Sequence, residues 1–187
     1  MTPIRSACVF CGSRAGADPA YAAATAELGR GLAVAGITLV YGGGRIGLMG
    51  VAADAVLAAG GRVHGVIPDF LQRREVAHGG ATQMEFTPSM HTRKARMFEL
   101  ADAFVVMPGG LGTFDETFEV ITWRQLGLHN KPILVCDVAG WARPLLAMVE
   151  AAVRAGFADA SAFALYEVMP DVPALLARLG APATVRP

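Results

Sequence analysis

Phe104-Val105-Val106-Met107 runs directly into Pro108-Gly109-Gly110-Leu111-Gly112-Thr113-Phe114-Asp115-Glu116. The first four residues are apolar without alternation, as expected of a strand buried on both faces. Proline and glycine then stop the strand, and a helical pattern resumes near Thr113 and runs to Leu126. A strand, a glycine-rich loop and a helix in that order are one unit of an α/β fold.

The same unit recurs on either side. Continuous apolar runs at Ile4–Phe10, Ile37–Tyr41, Arg62–Ile67 and Ile133–Cys136 read as strands, with weaker ones at Gln83–Phe86 and Tyr166–Val168. Helical patterns fill the gaps, at roughly Tyr21–Ala35, Leu48–Ala59, Ser89–Ala101, Trp141–Ala155 and Val172–Leu179. The alternation predicts a Rossmann-like, doubly wound parallel sheet with helices on both faces. The 187 residues suit one such domain, expected over residues 1–180, with 181–187 as a loose tail. In these sheets ligands bind beyond the carboxyl ends of the strands, where the strand order reverses.

Composition narrows the function. Sixteen basic residues balance sixteen acidic ones, so no electrostatic footprint for nucleic acid or an anionic membrane is present. The longest uncharged stretch, Gly31 to Gly44, has 14 residues and ends in three glycines, too short for a membrane span. Arg5 and the short run after it lack a signal-peptide pattern, so a cytoplasmic location is expected. Cys8 and Cys11 form a lone CxxC, and neither they nor the scattered histidines have the second ligand pair that a zinc site needs. A redox role is the alternative to buried strand-end thiols.

Three loops after strands are unusual. Cys11-Gly12-Ser13-Arg14 offers close backbone approach at Gly12 and a hydroxyl at Ser13 for an anion. Tyr41-Gly42-Gly43-Gly44-Arg45-Ile46-Gly47 satisfies GxGxxG, the spacing of a dinucleotide fingerprint. It follows the second strand, however, and the acid expected about 20 residues on is met only loosely by Asp69. A glycine wall at Gly43 and Gly44 against a smaller ligand is the competing reading. The third loop, Pro108 to Glu116, frees backbone N–H groups at a helix start, which suits a phosphate. No GK[ST] follows, so it is not a Walker loop. Thr113 and Glu116 also fit a T-x-x-E capping box, and spacing does not separate a cap from a functional acid.

A fourth segment, Met90-His91-Thr92-Arg93-Lys94-Ala95-Arg96, puts three cations into the first two turns of a helix capped by Ser89. That is the disfavoured end for positive charge. A bound anion would offset the cost; a solvated basic face is the alternative. Lys94 is one of only two lysines, with Lys131.

Together, Met90-His91-Thr92-Arg93-Lys94 and Pro108–Glu116 resemble the MHxRK and PGGxGTxxE pair of the Lonely Guy (LOG) family. The likeness extends to the CGS loop in Val9–Ser13, to YGGGxxGLMG in Tyr41–Gly50, to Glu119–Gly127 and to Lys131-Pro132, so it covers about Ile4 to Leu179. It implies a Rossmann-like homodimer that hydrolyses the N-glycosidic bond of a cytokinin riboside 5′-monophosphate or AMP, without a cofactor. Arg93 and Glu116 match the catalytic pair. Lys94, Gly109, Gly110, Leu111, Gly112, Thr113 and Asp115 match ligand-contacting positions, and Glu75 and Thr122 match more loosely. Position 115 is often Glu in the family and is Asp here. Met90, with Phe70 and Leu71, could line an apolar pocket for an N6-prenyl group. Some members carry a lysine decarboxylase label, but neither lysine is placed for a Schiff base. A broad nucleoside-monophosphate nucleosidase and a non-catalytic nucleotide sensor remain as alternatives.

Overall fold

The computed structural model describes residues 3–71 and 77–181. Seven strands form one sheet: β1 (Ser6–Phe10), β2 (Thr38–Tyr41), β3 (Val63–Pro68), β4 (Gln83–Thr87), β5 (Ala103–Val106), β6 (Ile133–Cys136) and β7 (Glu167–Met169). Six α-helices join them: α1 (Pro19–Val34), α2 (Gly47–Ala58), α3 (Met90–Leu100), α4 (Leu111–Gln125), α5 (Arg143–Arg154) and α6 (Val172–Arg178). The strand order is β4-β3-β2-β1-β5-β6-β7, and every pairing is parallel. The doubly wound α/β reading of the sequence is what the chain adopts.

Alternate residues of the central strands feed two cores. Ala7 and Val9 of β1 face α1, α2 and α6, packing with Leu28, Leu32, Val56 and Leu175. Cys8 and Phe10 face the other side, with Met97 of α3 and Val120 and Ile121 of α4. Strands β1, β5 and β6 are buried on both faces, which is why they read as unbroken apolar runs. The edge strands β4 and β7 carry exposed residues, Phe86 and Val168 among them, and this dilutes their pattern.

The helix boundaries contain one correction. Helix α4 begins at Leu111, with Gly110 as its N-cap and no side-chain cap. Thr113 is therefore inside the first turn and Glu116 lies further along, so T-x-x-E is not a capping box here. The capping box that does form is on α3, where the Thr92 N–H donates to Ser89 Oγ and the Ser89 N–H to Thr92 Oγ1, both at 3.2 Å.

The order reverses between β1 and β5. The loops following these two strands flank the switch point, and they are Cys11–Arg14 and Pro108–Gly110. They are tied together: the Gly12 N–H donates to the Pro108 carbonyl at 3.0 Å, and the Met107 N–H to the Phe10 carbonyl at 2.9 Å.

Candidate active site

A cavity of about 190 Å³ opens at the switch point. Its floor comes from the ends of β1 and β2, at Cys11 and Gly42, and one side from Met90 and Arg93 of α3. The first turn of α4, Gly110 to Thr113, forms the opposite side, with Asp115 and Glu116 beyond it. The backbone donors of that turn and the positive end of α4 therefore border the same space as a buried carboxylate.

Arg93 and Glu116 are both buried, and Arg93 Nη1 stands 3.4 Å from Glu116 Oε1. The guanidinium is fixed from a second direction, because its Nε donates to the Val66 carbonyl at the end of β3, at 3.1 Å. Gly42 makes room for it: a Cβ there would fall onto Arg93 Nη2. The need for close approach explains the glycine at this place.

The other cations of α3 are also paired. Lys94 Nζ lies 3.2 Å from Asp115 and 3.1 Å from Glu119. Burial pulls the lysine's pKa down, but hydrogen bonds to Glu119 and Asp115 outweigh it and hold the pKa above the ordinary lysine value. Arg96 grips Glu85 through Nε and Nη2 at 2.7 and 3.1 Å. Carboxylates that offset the basic helix start are thus supplied by the protein itself, on α4 and β4.

The glycine loop after β2 has a different job from a dinucleotide fingerprint. The first N–H groups of α2 are already taken, since Leu48 N donates to the Gly12 carbonyl at 2.9 Å and Met49 N at 3.4 Å. A pyrophosphate would need those donors. Gly47, at φ +61°, lets this turn pack on the Ser13–Arg14 backbone, where a side chain would collide. The loop braces the β1 turn. Among the described residues it is Gly42 that reaches the cavity wall, while Gly43 and Gly44 are buried beside it and outside that wall.

Of the remaining sequence candidates, Ser13, Met90, Leu111 and Gly112 line the cavity. Gly109 lies just behind the turn, bordering a second cavity, where its carbonyl accepts from Trp141 Nε1 at 3.1 Å. Thr122 is exposed on α4, outside the cavity wall. Phe70 and Leu71 form a 3₁₀ turn after β3 that does not border the cavity, and Glu75 lies outside the described residues.

Sequence reasoning overlooked Cys11 as a wall residue, because it read as a strand-end thiol. Burial, and next the Glu116 carboxylate, push its pKa well above the ordinary thiol value, so it stays protonated. Trp141 was also missed. It stacks on Phe114 at 5.6 Å between ring centres, and no local motif marks it.

The lysines leave little room for pyridoxal chemistry. Lys94 is held by two carboxylates, and Lys131 Nζ donates to the Phe98 carbonyl at 2.7 Å while lying 4.1 Å from the centre of that ring. Each amine is thus engaged by groups of the protein itself.

Residues 49–179 match the family model described as "possible lysine decarboxylase". The cytokinin riboside 5′-monophosphate phosphoribohydrolase of Rhodococcoides fascians is 43% identical over 179 residues, which is 95% of this chain and 90% of that one. The cytokinin riboside 5′-monophosphate phosphoribohydrolase LOG1 of Arabidopsis thaliana is 44% identical over 172 residues, covering 92% and 81%. Among solved structures, a molybdenum cofactor binding protein from Rippkaea orientalis superimposes with a TM-score of 0.71 over 96% of this chain and 98% of that one. Its identity is 17%, so this likeness speaks for the fold alone. The sequence matches and the shared motif pair together place this chain in the LOG family.

Proposed function

We propose that the protein hydrolyses the N-glycosidic bond of a nucleoside 5′-monophosphate, giving the free base and ribose 5-phosphate. The observation that carries this is the buried Arg93–Glu116 pair facing the same cavity as the uncapped first turn of α4. A phosphate seated on the Gly110–Thr113 backbone places a ribose along α4 toward Glu116.

Breaking the bond at C1′ builds positive charge on the sugar. The Glu116 carboxylate stabilises that charge and accepts a proton from the attacking water. The water oxygen bonds C1′, the C1′–N electron pair leaves with the base, and the base nitrogen takes up the proton that Glu116 removed from the water. Arg93 holds the carboxylate in place through a fork already anchored on the Val66 carbonyl. Lys94 does the same for Asp115 and Glu119, which lie on either side of Glu116 along α4.

Met90 and Met97 give the cavity an apolar side that suits a purine or its N6 substituent. A homodimer accords with the exposed apolar side chains Leu126, Leu128 and Phe157, and sedimentation would test it. A cytoplasmic location, with a small nucleotide and no nucleic acid as partner, accords with the balanced charge. No helix among the described residues is long and apolar enough to cross a membrane.

The test is an assay with AMP, GMP, CMP and N6-isopentenyl-AMP, following free base by chromatography. Release from the prenylated nucleotide well above the rest supports a cytokinin-activating enzyme. Equal release supports a general nucleosidase, and no release from any of them removes the hydrolase reading.

A further inference from the structure

Among the described residues, no side-chain cation in the cavity wall is free to meet the ligand at its phosphate end. Arg93 is committed to Glu116 and the Val66 carbonyl, and Lys94 to Asp115 and Glu119. A 5′-phosphate carries a charge near −2 at neutral pH, and a helix N-terminus answers it with only about half a positive charge.

One unpaired cation borders the loop. Arg14 is exposed, and among the described residues no hydrogen bond or ion pair holds its guanidinium. It follows Ser13 in the turn bonded to Pro108 through Gly12, so its backbone is anchored to the phosphate loop. Arg14 lines a second cavity of about 500 Å³, along with Tyr21, Leu48 and Trp141. This cavity adjoins the first across Gly12, Ser13, Gly110 and Leu111, which line both. Glu116 borders only the first and Arg14 only the second.

We infer that Arg14 reads the 5′-phosphate. From the second cavity its fork can take two phosphate oxygens across the Ser13–Gly110 boundary. It supplies the missing charge from the side away from the sugar, so Glu116 is not quenched. Arg14 is then a specificity-determining residue, separating nucleotides from nucleosides. This rests on the phosphate-site reading given under the proposed function.

The test uses the full chain and calorimetric titration with ribose 5-phosphate and with ribose, for the wild type, Arg14→Ala and Arg14→Lys. The wild type is expected to bind ribose 5-phosphate far more tightly than ribose. Arg14→Ala should weaken ribose 5-phosphate binding roughly tenfold to a hundredfold, the loss of charge-assisted hydrogen bonds. Ribose binding should not move, the KM for AMP should rise by a similar factor with kcat little changed, and Arg14→Lys should recover part of the loss. If Arg14→Ala binds ribose 5-phosphate as the wild type does, Arg14 is not the phosphate reader and the phosphate site stands. If the wild type does not distinguish the two sugars, the phosphate site itself falls and the inference falls with it.

Discussion

Arg93 Nη1 lies 3.4 Å from Glu116 Oε1, and the two side chains arrive from different helices, α3 and α4. Neither is a helix cap. Glu116 is inside α4, and Ser89 and Thr92 cap α3 without help from Arg93. Capping therefore does not explain why the two side chains are buried. Glu116→Gln keeps the shape and removes the charge. It should lower kcat for the nucleotide by about 10²- to 10⁴-fold, the usual worth of a positioned acid–base group. Circular dichroism should show the fold intact, with a smaller loss of melting temperature than for Arg93→Ala, because the Gln carbonyl and the Val66 carbonyl still accept from Arg93. An active Glu116→Gln enzyme would leave the carboxylate without a chemical role.

Arg93 should behave differently. Removing it takes away the cation 3.4 Å from the buried Glu116 carboxylate, and breaking comparable buried pairs costs about 3–5 kcal/mol. Arg93→Ala should lose both activity and stability, whereas Arg93→Ala with Glu116→Gln should recover much of the stability and none of the activity. That non-additivity, measured by chemical denaturation, is the signature of a direct pair.

Gly42 is the sharpest packing test. A methyl group there lands on Arg93 Nη2, and Met49 Sδ lies 3.2 Å from the same point. Gly42→Ala should cost about 1–3 kcal/mol by overpacking and should reduce kcat by pushing the guanidinium off Glu116. A normal rate with normal stability would mean that the arginine has another resting place.

Trp141 offers a subtler probe. Its indole N–H holds the Gly109 carbonyl while its ring stacks on Phe114. Trp141→Phe keeps the stacking and deletes the bond, worth about 1 kcal/mol. The KM for the nucleotide should rise by about fivefold, since the phosphate turn loses its brace. Steady-state kinetics should show kcat changing much less than KM.

The acid limb of stability should report Glu85. Hydrogen bonds from Arg96 lower its pKa below the ordinary glutamate value of 4.5, against the opposing effect of burial. A carboxylate with a depressed folded pKa stabilises fully above its unfolded pKa and loses that contribution as pH falls through the folded one. The wild type should therefore lose melting temperature below about pH 4.5, and Glu85→Gln should lose less over that range. Parallel curves for the two proteins would show that this carboxylate has no part in acid sensitivity.

Much of this was readable in the residues. Strands β1, β5 and β6 announce themselves because burial on both faces leaves nothing but apolar side chains, as in Phe104–Val106. The phosphate turn and the paired MHTRK segment were visible as unusual chemistry at a strand end and a helix start. The start of α4 was misplaced by two residues, because Gly-Gly-Leu-Gly has poor helix propensity and the turn is uncapped. Sequence also could not say which anion answers each cation. Lys94 reaches Asp115 and Glu119, more than twenty residues away, and only the packing of α3 against α4 brings them together. Gly42 was hidden for a similar reason, since its role depends on Arg93, fifty-one residues later in the chain.

The placement of α3 also governs the timing of assembly. This helix carries the chain from the edge strand β4 back to β5, beside β1, and Arg93 travels on it. The cavity that holds Arg93 and Glu116 also has Val9 and Cys11 in its wall, so it is complete only once β5 has docked on β1, a contact between residues about a hundred positions apart, such as Ala7 and Ala103. Contacts of that range close late in folding. In refolding from denaturant, helical signal should therefore return ahead of catalysis, with the enzyme regaining its turnover last.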